Sequence, residues 1–182
     1  KLVGLETGDS REFETFDKLY DAFQKQYEFI LRRSLEQTRL AHRAEAAIYR
    51  MPLLSVMLPG CLKNGMDVMM GGQGTHPTWY SKDRAIVDTA DSLTAIQTLV
   101  YDQKRVTMDR LLDALDSNFQ GDRGQEIQVM CLAAPKYGNE DPQADGMLRQ
   151  LGKASAAIIF SEKNVFGDKH PINRNGVGWH YY

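Results

Sequence analysis

"DTADSLTAIQTLVYDQKRVTMDRLLDALDSNFQG", Asp88 to Gly121, carries two helix signatures in succession. In the first, Leu93, Ile96, Leu99 and Val100 recur at the three-and-four spacing that gathers apolar side chains on one helical face, with Asp91 or Thr89 as cap. In the second, Thr107 is the N-cap, Asp109 sits in the first turn and Gly121 is the C-terminal stop.

The same punctuation extends in both directions. Upstream, Phe16, Leu19, Tyr20, Phe23, Tyr27, Ile30 and Leu31 form a helical stripe with Thr15 as cap, reaching about Tyr49 before Pro52 disfavours helix at Met51. "MPLLSVMLPGCLKNG" then reads as a short helix or turn closing at Gly65. Downstream, "GQEIQVMCLAA" is a fourth helix, and Asp141 followed by Pro142 is a cap with its first helical residue. Strand candidates are few: "DVMMGGQ" (Asp67–Gln73) and the terminal "GVGWHYY". Two isolated strands cannot complete a sheet, so the missing strands are expected from a longer chain. Residues 1–182 are read as an internal segment.

Composition narrows the function classes. The 182 residues are 42% hydrophobic and 25% charged with a net charge of −2, and the pI is about 6.1. Nothing is strongly basic, which argues against nucleic acid; the densest basic stretch, "RLAHRAEAAIYR", is diluted by alanine and Glu45. No apolar run approaches membrane-spanning length. Cys61 and Cys131 lack C-x-x-C spacing, and His42, His76, His170 and His180 form no ligand-like pair, so no metal site is expected. Reduced thiols fit a cytoplasmic protein.

Four blocks together resemble the glycyl radical enzymes related to pyruvate formate-lyase. "TGDSREFETFDKLYDAFQKQ" resembles their T-G-D…F-x-T-[FY]-[DE]-x-L segment. "PLLSVMLPGCLKNGMDVMMGGQ" resembles their P-[LF]-[LI]-S…C-[IL]-x-x-G-x-D…G-G block. The Asp88–Gly121 stretch resembles A-D-S-L-[AT]-A-I…N-[FW]-x-G, and "APKYGNEDPQAD" resembles K-[YW]-G-N-[DE]-D. The resemblance implies an α/β fold: this chain is a mostly helical segment of a ten-stranded α/β barrel. It also implies a radical on a backbone glycine that takes hydrogen from a cysteine, whose thiyl radical then attacks the substrate. A closed barrel shields such intermediates from water and oxygen.

Neither radical residue is read in this chain. The family's radical-carrying cysteine sits in C-x-E, whereas Cys61 is followed by Leu62 and Lys63. A buried structural thiol accounts for Cys61, and Cys131 lies on an apolar helix face. "RNGVGWHYY" departs from the R-V-x-G-[YF] radical loop, since Arg174 lacks a following Val and Gly178 precedes Trp179.

"VMMGGQGTHPTWY" (Val68–Tyr80) is where the resemblance puts substrate contact. As a phosphate cradle it lacks the Gly-Lys-Ser/Thr ending; as a plain turn it remains acceptable. The resemblance places the residues after the glycine pair on an inward strand, with Gln73, Thr75 and Pro77 facing substrate. His76, Trp79 and Tyr80 are read as packing at the barrel mouth, and Lys136, Tyr137 and Asn139 as a loop locked by its own hydrogen bonds.

Radical dehydratases and related lyases tend to read G-G-A-x-Y-N; glutamine after the glycine pair resembles the fumarate-adding, benzylsuccinate synthase branch. The resemblance therefore implies addition of a hydrocarbon methyl or methylene carbon to fumarate. An arylacetate decarboxylase or dehydratase of the same fold is the alternative, and an inactive homologue or scaffold is the non-enzymatic one. It further implies a radical-SAM activating enzyme, a homodimer of catalytic subunits and small accessory subunits.

Overall fold

The computed structural model describes residues 4–74, 81–82, 85–164, 167, 169 and 172–173. Seven α-helices are described: α1 Phe16–Ile48, α2 Pro52–Met57, α3 Pro59–Asn64, α4 Ile86–Ile96, α5 Met108–Asp116, α6 Gly121–Ala133 and α7 Pro142–Ser161. Two short strands, β1 Ser81–Lys82 and β2 Ile172–Asn173, pair in parallel with Ser81 opposite Ile172. The expected terminal strand "GVGWHYY" lies outside the described residues.

Two compact units emerge. One joins the described parts of Lys1–Phe29 and Arg84–Ser155; the other joins those of Ile30–Asp83 and Ala156–Asn175.

The first unit is helical because its apolar stripes find one another. Tyr20, Ala90, Leu93, Met147 and Leu151 form a buried cluster, with Phe16, Leu19, Phe23, Ile86 and Leu148 packed on it. Phe16, Tyr20, Phe23 and Tyr27 climb α1 as a staircase of stacked rings, with centroids 5.9, 6.1 and 5.8 Å apart. Ala90, wholly buried, has a side chain small enough for α4 to lie close to its neighbours. A second cluster gathers Leu99, Val106, Leu111, Ala114 and Ile127.

Between the clusters α4 widens into a π-helical turn, Gln97–Asp102. Gln103 N–H reaches Thr98 O at 2.9 Å, while the Arg105 and Val106 N–H groups both donate to Leu99 O. Beyond the widened turn Val106 is almost fully buried, in one cluster with Leu111 and Ala114 of α5.

Several capping expectations are met. Thr15 Oγ1 accepts from Lys18 N–H at 3.4 Å, Thr107 Oγ1 from Arg110 N–H at 3.3 Å, and Asp141 Oδ1 from Gln143 N–H at 2.9 Å. Gly65 closes α3 in the left-handed conformation at φ 59.

Others are corrected. Neither Thr89 nor Asp91 caps α4, which begins at Ile86 so that Ile86 can join the core; Thr89 Oγ1 and Ser92 Oγ instead donate to carbonyls one turn back. Gly121, at φ 76, opens α6 rather than stopping α5. The stop is made by Asn118 and Phe119, both left-handed, with Phe119 N–H returning to Ala114 O. The strand expected over Asp67–Gln73 is a 3-10 turn, Val68–Met70, followed by further turns. Its cause is Asp67, whose carboxylate accepts from the Met69 N–H two residues on and folds the backbone back.

Candidate functional site

The second unit holds a hydrogen-bonded buckle around the glycine pair. Asp67 is its hub. Oδ2 accepts from Met51 N–H at 2.9 Å and from the Ser55 hydroxyl at 3.0 Å, while Oδ1 accepts from Met69 N–H at 2.9 Å. The Asp67 carbonyl accepts from the Met70 and Gly72 amides at 3.0 and 3.1 Å. Ser55 Oγ in turn accepts from Val68 N–H at 3.0 Å, so α2 and the turn are tied twice. The Met69 N–H bond holds the Asp67 carboxyl below the usual carboxylate range, helped by Met51, Ser55 and the Arg50 charge against a smaller opposing cost of desolvation.

The far side of the buckle closes on α3. Asn64 Nδ2 donates to Gly72 O at 2.9 Å, and Gln73 Oε1 accepts from Gly60 N–H at 3.0 Å. Both glycines are required by close approach. A Cβ on Gly72 would stand 2.0 Å from Met66 O, and one on Gly60 would stand 2.8 Å from Gln73 Cα. Proline at the start of α2 and α3 begins each helix without needing a donor there.

The lowered pKa of Asp67 carries a pH consequence. A depressed carboxylate stabilises the fold above its unfolded pKa, and that contribution is lost as pH falls through the folded value. The Met51 and Met69 amides are therefore expected to be well protected at neutral pH, relative to the unstructured chain at the same pH, and to lose that protection as pH falls through the lowered Asp67 pKa. Asp67→Ala should show the low protection already at neutral pH. Hydrogen-exchange mass spectrometry of residues 51–73 measures it, and equal protection in the variant would contradict the hub.

Of the expected substrate residues, Gln73 sits exposed in the turn, and Thr75 and Pro77 lie outside the described residues, as do His76, Trp79 and Tyr80. Cys61 is buried within α3, as a structural thiol would be. Burial pushes the Cys131 thiol up, with the Lys136 ammonium pulling the other way, so thiolate chemistry at neutral pH is disfavoured. Sequence reading missed Ser55, Asn64 and Asp67. Their one local signal is Asp67 ahead of "VMMGG", an Asx-turn opening onto glycines.

The helical unit has a cavity of about 410 Å³, walled by Ile96, Leu99, Leu111 and Phe119 and edged by Asp91 and Lys136. Its edge groups are engaged: Asp91 accepts from Tyr137 N–H at 2.8 Å, and the Lys136 ammonium donates to Cys131 O and Ala134 O at 2.8 Å. The Lys136–Tyr137 loop is thus pinned partly from α4 rather than by itself alone. This cavity offers apolar packing, not reacting groups. Among the described residues no three His, Cys, Asp or Glu side chains gather to hold a metal ion, and no helix is long and apolar enough to cross a membrane.

Comparison with known proteins agrees with the blocks read from the sequence. The family model "Pyruvate formate lyase-like" matches residues 1–176. The chain is 32% identical to a trans-4-hydroxy-L-proline dehydratase of Clostridioides difficile over 100% of its own length and 23% of the relative's. It is 33% identical to an isethionate sulfite-lyase of Bilophila wadsworthia, over 95% of this chain and 20% of that one. The crystal structure of hydroxyproline dehydratase from Clostridioides difficile with trans-4-hydroxy-L-proline bound matches with a TM-score of 0.84 at 32% identity, covering 96% of this chain and 22% of that structure. The chain spans about a fifth of the length of these relatives. Its fold is that of a mostly helical segment of their α/β barrel. The chain belongs to the pyruvate formate-lyase-like family of glycyl radical enzymes.

Proposed function

We propose that the protein containing this segment is a glycyl radical lyase that eliminates a leaving group from a small hydroxylated substrate. The observation that carries this reading is the match to a trans-4-hydroxy-L-proline dehydratase along the whole chain, in sequence and in backbone. A glycyl radical, on a residue outside this chain, supplies hydrogen abstraction. The segment's own part is to hold the substrate-facing stretch that begins at Gln73, with Thr75 and Pro77 on it, and to keep water from it. The exposed Ile48, Leu53, Met57 and Leu62 side chains are surfaces for the rest of the barrel to cover.

Glutamine following Gly72 resembles the branch that adds a hydrocarbon to fumarate. Gln73 has a task at Gly60 that explains its presence without fumarate, which leaves the named eliminating relatives as the stronger guide. A radical-SAM activating enzyme, a homodimer of catalytic subunits and an oxygen-free cytoplasm complete the reading.

Anaerobic activation of the full-length protein by such an activating enzyme tests it. Electron paramagnetic resonance should show a carbon radical split by one α-hydrogen, with the splitting collapsing when glycine is deuterated. Absence of any radical would favour an inactive scaffold. Cys61→Ser should activate to the same radical level and keep most of its turnover; complete loss of turnover with the radical intact would make Cys61 catalytic.

A further inference from the structure

Asn64 and Gly65 form an asparagine–glycine pair at the exposed end of α3. Such a pair carries its own reaction. The glycine nitrogen can attack the asparagine Cγ, and with no Cβ on the glycine nothing hinders that approach. In the buckle both reacting groups are occupied. Asn64 donates to Gly72 O at 2.9 Å, and a carbonyl can only accept, so the atom placed there is Nδ2. The Gly65 N–H donates within α3, to Cys61 O and Leu62 O, with Gly65 itself left-handed at φ 59. Six residues are too few to hold a helix on their own in water, so α3 depends on its ties to the turn that follows. Those ties are Gly60 N–H to Gln73 Oε1 and Asn64 Nδ2 to Gly72 O. Opening the buckle therefore frees the amide and the nitrogen that attacks it together.

We propose that Asn64 is a deamidation site guarded by the buckle, and that its conversion locks an opened segment open. The Gly65 nitrogen bonds to Asn64 Cγ while the Cγ–Nδ2 bond breaks, and the Gly65 N–H proton leaves with Nδ2 as ammonia. Water then opens the resulting succinimide ring at one of its two carbonyls. The product is aspartate, or isoaspartate with the main chain routed through the former side chain, and no electrons are gained or lost. Either carboxylate lacks the donor that Gly72 O requires and turns an anion towards that oxygen. A molecule that has opened for long enough is thus marked irreversibly.

Full-length protein is incubated in mildly alkaline buffer, native and in denaturant. The peptide containing residue 64 is followed by mass spectrometry for the gain of about 1 Da that replacing the amide by a carboxyl brings. Native wild type should convert at least about tenfold more slowly than the denatured chain. Gly72→Ala and Ser55→Ala open the turn without touching the pair, the second by removing the hydroxyl that joins Asp67 and Val68. Both should convert faster than wild type, in the order of their loss of exchange protection. Should Gly72→Ala fail to fold, Ser55→Ala and the native-to-denatured ratio still decide. Asn64→Asp, the hydrolysis product, should lower the protection of residues 66–73 at least about threefold. Equal rates in native and denatured wild type, no acceleration in Ser55→Ala, or wild-type protection in Asn64→Asp overturns the proposal.

Discussion

Gly72→Ala is expected to open the buckle and to be the most damaging small substitution in its unit. The added methyl would stand 2.0 Å from Met66 O and 2.7 Å from Met66 C, both backbone atoms that no rotamer change can move. Relief requires residues 66–73 to shift, which breaks the Gly72 N–H bond to Asp67 O and the Asn64 bond to Gly72 O. The local opening free energy of the segment should fall by about 3 kcal/mol or more, the upper range of overpacking costs. Hydrogen exchange of residues 51–73 in the full-length protein reads it directly. If Gln73 begins the substrate-facing stretch, as proposed, substrate KM should rise with the loss of protection. Wild-type protection in Gly72→Ala would mean that the turn is not where the structure puts it.

Leu151→Ala should have a comparable effect on the helical unit. Leu151 is 2% exposed and belongs to the cluster formed with Tyr20, Ala90, Leu93 and Met147. Removing its isopropyl group leaves a cavity among helices whose backbones cannot all collapse inward, a loss of about 2–5 kcal/mol. Leu151→Met, which conserves volume, should cost under about 1.5 kcal/mol. Exchange protection along α7 separates the two, and equal protection in both variants would show that Leu151 is not a core residue.

What the sequence made legible were features whose cause lies within a few residues. Thr107, Asp141 followed by Pro142, and Gly65 act on backbone groups one turn away, and each occupies its expected place. Asp91 misled because it has a cap's chemistry but spends it on Tyr137 N–H, forty-six positions along the chain. Gly121 has a helix stop's conformation, yet the chain had already reversed at Asn118 and Phe119. "DVMMGGQ" had a strand's apolar residues, and one Asx hydrogen bond at Asp67 outweighed them. Gln73 is the sharpest case. Its partner, Gly60, lies across the intervening turn, and no periodicity connects an exposed amide with a helix amide thirteen residues earlier. The family is readable because four blocks fall in order; the reaction is not, since only the few residues after the glycine pair bear on it and one of them, Gln73, has a second role at Gly60.

Product identity after anaerobic activation shows whether this segment serves an eliminating glycyl radical lyase. The full-length enzyme, once its radical is confirmed, is given trans-4-hydroxy-L-proline and isethionate, and separately toluene with fumarate, and the products are identified by mass spectrometry. Loss of water or sulfite from one of the first two, and no adduct from the last pair, is the expected result. A carbon–carbon adduct of toluene and fumarate, with neither elimination product, would contradict it.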